Sequence, residues 1–379
     1  MSQRVDESEW VQFQWEYLLR FLGGERRVEQ LAYETGAFTR RRKIEKPSDL
    51  LRLLMLWAVG ERSLMETAAL ASEADLADVS DVALLGRFRR AEGWLSALLG
   101  ELLIKGQSGP VSAYPIRLLD ATCLSGRGSK GTDRRLHLSL DLRSNRAHAL
   151  ELTDWRGGER LDRFQFTPGE IAIADRAYAT RKGLAHVAAQ GAYFLVRLPW
   201  SNLPLETLQG ESFDLLEALG SLPEAQAESF NVQFRSPEGQ AIPARLVGIR
   251  KSEPAAQSTR QKITADARRH GNPTIDLRTM EAAGYVFVIA NLPEEISAES
   301  VLQLYRLRWQ IEMKFKTLKS VLHLGTLPTR AGALLNVYVM AKLLVALLID
   351  DLIEKAGSFS PWGYPIAAPS PMASDAAPC

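Results

Sequence analysis

The chain is poor in cysteine and histidine, and its start has no leader-like sequence. The two cysteines among 379 residues, Cys123 and Cys379, provide neither a disulfide framework nor zinc-ligand spacing, which disfavours structural zinc. The N-terminus lacks the apolar run of a signal peptide. These absences make a reducing cytoplasm the expected compartment.

The chain also lacks a long uninterrupted apolar run and a large net charge. The most apolar stretch, 334–349, contains Lys342, so no membrane partner is expected. A net charge of +1 conceals basic blocks at 40–43 and in the 126–135 loop. Because DNA binding needs local rather than global positive charge, these blocks leave that function open. A content of 46% hydrophobic and 24% charged residues is typical of a globular chain with two or three domains.

The segment from Tyr305 to Lys319 has the most informative pattern. It contains no Gly or Pro and is predicted to be helical throughout. At about 100° per residue around the helix axis, four polar residues fall within an arc of roughly 60°, beside a separate apolar stripe: Tyr305, Arg308, Glu312 and Lys319. One acid among cations is typical of a site in which the carboxylate binds a metal ion and the cations contact a polyanionic substrate. The alternative is a surface helix with an exposed Arg308–Glu312 pair.

In the middle of the chain the pattern changes to strands, and two of these are predicted to end in an aspartate. The apolar runs 116–119 and 171–174 are followed by Asp120 and Asp175. If these two carboxylates and that of Glu312 came together, they would repel one another unless a cation lay between them. An all-oxygen site suits Mg²⁺, and two such ions about 3.5–4 Å apart can promote in-line phosphoryl transfer.

These residues resemble the motifs of bacterial insertion-sequence transposases of the DDE class, in the family numbered four. The family's Y-(2)-R-(3)-E-(6)-K spacing is matched without a gap by Tyr305, Arg308, Glu312 and Lys319. The segment 308–312 resembles the family's R-W-x-I-E core. Asp120 in Asp-Ala-Thr and Asp175 in Asp-Arg-Ala-Tyr resemble the other two positions of its catalytic triad.

The resemblance implies a fold, a metal and a set of site residues. The implied fold is α/β: a ribonuclease H-like catalytic core with a β-rich insertion subdomain and an α-helical N-terminal domain. Catalysis and metal binding are implied for Asp120, Asp175 and Glu312, with two Mg²⁺ ions for which Mn²⁺ can substitute. DNA contacts are implied for Tyr305, Arg308, Trp309 and Lys319. Trp309 is expected to support its helix, and a homodimer is expected to act on paired ends of double-stranded DNA.

Five segments are expected along the chain. They are a helical DNA-binding domain (1–110), the first part of the core (111–194), a β-rich insertion (195–299), the second part of the core (300–356) and a disordered tail (357–379). The N-terminal helices allow a helix-turn-helix-like module whose last helix carries Arg87, Arg89 and Arg90, and a plain helical bundle fits equally well. The apolar segment 333–355 is expected to pack on the sheet. The Pro/Ala/Ser-rich tail departs from the family.

Other polar residues near the predicted core are interpreted as supporting residues. Solvated turns or positions beside the catalytic carboxylates are expected for Asp141, Asp154, Glu159 and Asp162, although Gly158-Glu159 resembles a pair in the family. His137 and His148 are expected to be packed. The G-x-G-x-x-G spacing at 126–131 is rejected as a dinucleotide site because a strand is predicted to follow it. The basic stretch 257–270 either follows a phosphate backbone or forms a solvated helix face.

Together these features predict a DNA transposase that binds terminal inverted repeats, cuts the strands and joins them to target DNA. Two alternatives stay open, and the atypical tail suggests the first of them. One is a truncated, transposase-derived DNA-binding protein without catalytic activity, and the other is a metal-dependent nuclease without strand transfer. The protein is expected in the bacterial cytoplasm, associated with the nucleoid when it is bound to DNA.

Overall fold

A computed structural model describes residues 15–106, 115–224, 226–271, 274–328 and 332–357. The described chain divides into two units. The first contains 15–106, 144–146 and 320–357, and the second contains 115–143 and 147–319. The predicted disordered tail, beyond residue 357, lies outside the described residues.

The first unit is helical, as the N-terminal sequence predicts. Its elements are α1 (15–21), α2 (Glu25–Glu34), α3 (Pro47–Ala58), α4 (Leu64–Glu73), α5 (Asp81–Arg89), α6 (Glu92–Gly106), the short strand β11 (Thr326–Leu327) and α13 (Gly332–Gly357). Several of these helices begin at residues that favour a helix N-terminus. Pro47 lies in the first turn of α3, and the side chains of Ser63 and Ser80 cap α4 and α5.

The apolar helix α13 packs against α6, α3 and α5 within its own unit. The ring of Trp57 on α3 lies 5.1 Å from the rings of Phe88 and Tyr338, which joins three helices in one aromatic cluster. By length and composition, the stretch Gly332–Ile353 could cross a membrane, but most of it is buried. A helix that is apolar on all sides needs cover on several sides, and neighbouring helices provide it.

The second unit is built on one large mixed sheet. Its strands are β1 (Ile116–Gly126), β2 (Arg134–Asp141), β3 (Arg146–Asp154), β4 (Ile171–Ala174), β5 (Tyr193–Arg197), β6 (Leu205–Glu206), β7 (Ser212–Phe213), β8 (Ala227–Arg235), β9 (Ala241–Arg250) and β10 (Tyr285–Ala290). They lie in the order β3-β2-β1-β4-β5-β10-β9-β8-β6-β7. β1 is antiparallel to β2 and parallel to β4, and β5 is parallel to β4. The strand order 3-2-1-4-5 with these directions is that of a ribonuclease H-like core, which confirms the predicted fold class.

The predicted β-rich segment is present, and its strands extend the core sheet. β10 pairs antiparallel with both β5 and β9, and β9 pairs antiparallel with β8. The helices of this unit are α7 (Arg181–Ala189), α8 (Leu215–Gly220), α9 (Glu253–Arg269), α10 (Leu277–Ala282), α11 (Ala298–Arg306) and α12 (Trp309–Val321), with 3₁₀ turns at Leu161–Arg163 and Arg176–Tyr178. One apolar core runs under β4, β5, β8 and β9.

Two local predictions require correction. Asp120 does not end its strand, because β1 continues to Gly126. The helix predicted over Tyr305–Lys319 is interrupted at 307–308, between α11 and α12. There the backbone N–H groups of Leu307 and Arg308 each bond to the carbonyl three residues earlier, at 3.0 and 3.1 Å. This tight, 3₁₀-type turn needs neither Gly nor Pro, so the residue types gave no signal of it.

Candidate active site

The register of the central strands places Asp120 beside Asp175. β1 and β4 run parallel, and their last paired residues are Leu119 and Ala174. The next residue on each chain is the aspartate, at the point where β4 ends and β1 continues. Asp120 and Asp175 therefore lie next to each other, close enough for their charges to interact. Although the predicted strand end was wrong for Asp120, the predicted neighbourhood of the two aspartates is what the register produces.

Each of these aspartates is oriented by the backbone that follows it. The N–H of Ala121 donates to Asp120 Oδ1 at 2.8 Å, and the N–H of Arg176 donates to Asp175 at 2.5 Å. Asp175 thereby caps the 3₁₀ turn Arg176–Tyr178. One carboxylate oxygen is used locally in each case, so the other oxygen is available to the site.

Arg308 links Asp120 to Glu312. Its Nη1 lies 3.8 Å from Asp120 Oδ2, and its Nη2 donates to Glu312 Oε1 at 2.5 Å. The positive charge of Arg308 also lies close enough to Asp175 for the two to interact. The two aspartates and Glu312 are thus grouped around one guanidinium. The tight turn at 307–308 places Arg308 between the helices α11 and α12, one turn before Glu312.

The electrostatics of Asp120 differ from those of an ordinary surface carboxyl. Its pKa is raised to about 6, chiefly by burial. The negative charges of Asp175 and Glu159 also raise it, whereas the Ala121 N–H and Arg308 lower it. A site with this balance favours a bound cation, because positive charge relieves both the burial and the repulsion.

The donor set fits a hard divalent metal, although the carboxylates do not converge on a common point. Among the residues that the structure describes, no three acidic, histidine or cysteine side chains are grouped closely enough to hold a metal ion. Asp120, Asp175 and Glu312 offer only oxygen donors, which Mg²⁺ and Mn²⁺ prefer. In the structure the cation shared by Asp120 and Glu312 is the guanidinium of Arg308.

The other residues of the helix motif have different environments. The hydroxyl of Tyr305 is buried, and the guanidinium of Arg308 lies 5.9 Å from the centre of the Tyr305 ring. Lys319 is exposed on α12, about 10 Å along the axis from Glu312. Trp309 was expected from the sequence to support its helix, but its side chain is 55% exposed and is not packed in the core. Its exposed ring remains free to contact a ligand.

Two residues near the aspartates were underestimated from the sequence. Glu159 is half-buried, lies 3.6 Å from Arg135, and interacts electrostatically with both Asp120 and Asp175. Its pKa is raised, mainly by burial. Tyr178 is fully buried, its hydroxyl has no hydrogen-bond partner among the residues that the structure describes, and burial raises its pKa. The only available signals were the Gly158-Glu159 pair and the tyrosine three residues after Asp175.

The remaining expectations for polar residues are mostly met. His137 is fully buried and its Nε2 lies 3.0 Å from Thr153 Oγ1, so it is packed as predicted, whereas His148 is only partly buried. Asp154 accepts backbone N–H bonds in a turn. Asp162 pairs with Arg160 and Lys182. None of these interactions requires a catalytic role.

Comparison with known proteins identifies the class. The model of the family described as Transposase DDE domain matches residues 112–348, a range that includes Asp120, Asp175 and Glu312. The chain belongs to this DDE transposase family, an enzyme family that acts on DNA and generally depends on divalent metal ions.

The relatives indicate the insertion-sequence branch. The transposase for insertion sequence element IS421 of Escherichia coli is 37% identical over 356 residues, which cover 92% of this chain and 96% of that protein. The transposase for IS231F of Bacillus thuringiensis subsp. israelensis is 24% identical over 63% of this chain and 57% of its own length. A piggyBac transposase synaptic complex with hairpin DNA superposes with a TM-score of 0.45 and 10% identity, covering 91% of this chain and 76% of that chain. The chain is thus a DDE transposase of the insertion-sequence type, and its function is DNA transposition.

Proposed function

We propose that this chain performs cut-and-paste transposition of its insertion sequence by binding the terminal inverted repeats, cleaving the strands there and joining them to target DNA. One observation carries the proposal. Asp120 and Asp175 are adjacent in register where β4 ends, and Arg308 connects Asp120 to Glu312. This arrangement brings three carboxylates and one cation to a single edge of the sheet.

The three carboxylates are proposed to hold two Mg²⁺ ions, for which Mn²⁺ can substitute. Bound ions would activate the attacking water or 3′-hydroxyl and stabilise the leaving oxygen of an in-line displacement. The chain supplies ionised oxygen ligands whose orientation is fixed in part by the N–H groups of Ala121 and Arg176. Asp120 must lose its proton to act as a ligand, and nearby positive charge favours that loss.

Arg308 is proposed to exchange one anionic partner for another. Without DNA its Nη2 is bonded to Glu312. A phosphodiester beside Arg308 offers the guanidinium a second anion, so that the Glu312 carboxylate becomes free to bind metal. Tyr305 and Lys319 are proposed to contact neighbouring phosphates, and the exposed Trp309 ring to contact the DNA end.

The N-terminal helices are proposed to bind the terminal repeats through a basic surface. We define this surface as Arg40, Arg41, Arg42, Arg87, Arg89 and Arg90. The Nη2 of Arg87 donates to the carbonyl of Arg40 at 3.2 Å, and the pKa of Arg87 is lowered by burial and by the charges of Arg90 and Arg42. The loop before α3 and the end of α5 thus present their arginines together. Mutually repelling cations are stabilised by a polyanion such as duplex DNA.

The assembly is proposed to be a homodimer acting on two paired ends in the bacterial cytoplasm, associated with the nucleoid while it is bound to DNA. Transposition joins both ends of one element to one target. A pair of identical chains would provide one set of carboxylates for each end. Analytical ultracentrifugation with and without repeat DNA would measure this stoichiometry directly.

The test is cleavage of a labelled duplex that carries the terminal repeats flanking the gene. Wild type, Asp120→Asn and Glu312→Gln are compared in Mg²⁺ and in chelator. We expect metal-dependent 3′ ends and strand-transfer products from the wild type, and a loss on the order of 100-fold or more in each variant, because a missing metal ligand costs several kcal/mol of transition-state stabilisation. Binding of the repeats should persist in both variants.

The matched control is Glu299→Gln, the same change at an exposed position of the preceding helix α11. It should cleave as the wild type does. Unchanged cleavage by Glu312→Gln would exclude its role as a ligand. Binding without cleavage in every protein would indicate a DNA-binding relic, and cleavage without joined products would indicate a nuclease.

A further inference from the structure

The turn that follows β3 presents an exposed tryptophan beside an arginine. The Trp155 side chain is 58% exposed, and the guanidinium of Arg156 lies 5.0 Å from the centre of its ring. Arg156 is exposed as well, and neither residue belongs to the site described above. A single exposed ring is common on protein surfaces, so the surroundings of Trp155 decide whether it serves a ligand.

The backbone around Trp155 is held in one conformation by local contacts. Asp154 Oδ1 accepts hydrogen bonds from the N–H groups of Arg156 and Gly157, at 3.0 and 3.2 Å. Glycine is required at position 157, because a Cβ there would lie 2.0 Å from Thr153 Oγ1. The ring is therefore presented by a fixed turn, which reduces the entropy lost when a partner binds to it.

The hairpin between β1 and β2 lies next to this turn and carries further cations. Arg135 Nη1, at the start of β2, donates to the carbonyl of Gly157 at 3.1 Å and so joins the turn to the base of the hairpin. Arg127 and Lys130 are exposed in the hairpin. We call the exposed cations and the ring together the hairpin surface, which consists of Arg127, Lys130, Trp155 and Arg156.

The cations of the hairpin surface are not used in ion pairs. Among the residues that the structure describes, no acid lies within ion-pair distance of Arg127, Lys130 or Arg156. Three other arginines of this region do have acidic partners: Arg135 with Glu159, Arg160 with Asp162, and Arg163 with Glu151. Unpaired cations beside an exposed aromatic ring suit a polyanion that also carries flat rings. Nucleic acid has this combination, with phosphates for the cations and bases for the ring.

The strand order places the hairpin surface on one side of the proposed catalytic carboxylates. The turn follows β3, and in the order β3-β2-β1-β4-β5 the carboxylates of Asp120 and Asp175 belong to β1 and to the end of β4. Tyr305 lies towards β5, because the charge of Arg197, the last residue of β5, acts on its hydroxyl. A strand with the element's end at Tyr305 and its scissile phosphate at the carboxylates therefore continues towards the hairpin surface.

We infer that the hairpin surface binds the DNA that flanks the element, with Trp155 stacked on an unpaired base and the cations beside phosphates. This inference rests on the proposed function, which supplies the DNA substrate. The hairpin starts at Leu124, which pairs with Arg134 and lies four residues after Asp120, about 13 Å along β1. Since nucleotides follow one another at about 3.4 Å along a duplex strand, the contact falls about four nucleotides from the scissile phosphate.

The experiment measures the affinity of the full-length protein, in chelator, for labelled DNAs that carry the terminal repeat. One DNA has a flank of about six nucleotides with unpaired strands, another has the same flank without bases, and the last ends at the repeat. We expect Trp155→Ala to weaken binding of the first DNA about 5- to 100-fold, as the loss of a base–aromatic stack does. Binding of the other two DNAs should not change, because neither offers a flanking base. Trp155→Phe keeps a ring and should retain most of the affinity.

The matched control is Leu208→Ala, which truncates a side chain that is 51% exposed in another turn of the same unit. It should leave all three affinities unchanged. Wild-type affinity of Trp155→Ala for the unpaired flank overturns the inference. An equal loss on all three DNAs also overturns it, because the ring would then act away from the flank.

The cations are tested by the double substitution Arg127→Ala/Lys130→Ala, which leaves the turn at Trp155 intact. On the unpaired flank it should reduce the slope of log K against log salt by about 1.4, and on the DNA that ends at the repeat it should not. The same slope as the wild type on the flanked DNA overturns the inference.

Failure of the proposed function gives a different result. A wild type that prefers the unpaired flank to the flank without bases, but cleaves no DNA in Mg²⁺, refutes strand cleavage and supports the flank contact. A wild type that cleaves and binds these two flanked DNAs equally refutes the flank contact alone.

Discussion

At the scale of single residues, the second unit contains polar side chains whose burial changes their chemistry. Burial raises the pKa of Asp120 to about 6, and the positive charge of the neighbouring Arg308 partly opposes this rise. His137 lies on the neighbouring strand β2, where it pairs with Ala121 of β1. His137 is fully buried, and its pKa is lowered to about 4 by burial, with contributions from Arg163 and Arg135.

The lowered pKa of His137 predicts an acid-sensitive fold. Between about pH 6.5 and pH 4 the unfolded chain binds a proton at this residue that the folded chain does not bind. The contribution of neutral, buried His137 to the free energy of unfolding is therefore complete above pH 6.5. It is lost as the pH falls through this window, by up to about 3 kcal/mol. Urea unfolding at pH 7.5, 6 and 5 should show a smaller acid loss for His137→Gln than for the wild type. Parallel losses in the two proteins would contradict the assignment.

At the scale of elements, a buried ion pair joins the starts of the two strands that lead to the aspartates. Arg117 on β1 and Glu170, directly before β4, have side chains that are 2% and 7% exposed and lie 2.6 Å apart. Arg117 also donates to the carbonyl of Gln165, and its guanidinium lies 4.8 Å from the centre of the Phe166 ring. The pair thus holds β1 and β4 in the alignment that places Asp120 beside Asp175.

Breaking this pair should be costly. Glu170→Gln leaves the Arg117 charge buried without its anion, and we expect a loss of about 3–5 kcal/mol in the free energy of unfolding. Urea denaturation followed by circular dichroism measures it. The control is Glu253→Gln, which removes the acid from an exposed pair with Arg260 and should cost less than about 1 kcal/mol. Equal effects of the two substitutions would show that burial does not set the energy of the Arg117 pair.

At the scale of the whole molecule, the proposed DNA-binding surface and the proposed catalytic residues fall in different units. The carboxylates and Arg308 belong to the sheet unit, and the basic surface belongs to the helical unit. A net charge of +1 over 379 residues gives no general attraction to DNA, so binding must depend on local surfaces.

The double substitution Arg41→Ala/Arg42→Ala tests the basic surface. Two lost phosphate contacts should weaken binding of repeat DNA and reduce the slope of log K against log salt by about 2. Fluorescence anisotropy at several salt concentrations measures both quantities. Arg20→Ala, an exposed arginine of the same unit outside this surface, is the control and should leave the slope unchanged. A double variant with wild-type affinity and slope would move the DNA contact to another surface.

The sequence by itself determined the family and named the candidate residues for its chemistry. Residue types and their spacing are enough to name Asp120, Asp175, Glu312 and the Y-R-E-K motif, because these features need no knowledge of packing. The same holds for the helical N-terminal region and for the strands, whose periodicity is local. The roles of the named residues in catalysis and DNA binding stay predictions until the variants are measured.

Only the tertiary structure decided how these parts meet. The register of β1 with β4 placed Asp120 in mid-strand beside Asp175, and packing broke the helix at 307–308 without Gly or Pro. It also buried α13 among helices and brought Glu61 to Lys342, 281 residues away in the chain. Contacts of such separation depend on which surfaces bury each other in the folded chain, and neither residue type nor periodicity carries that information.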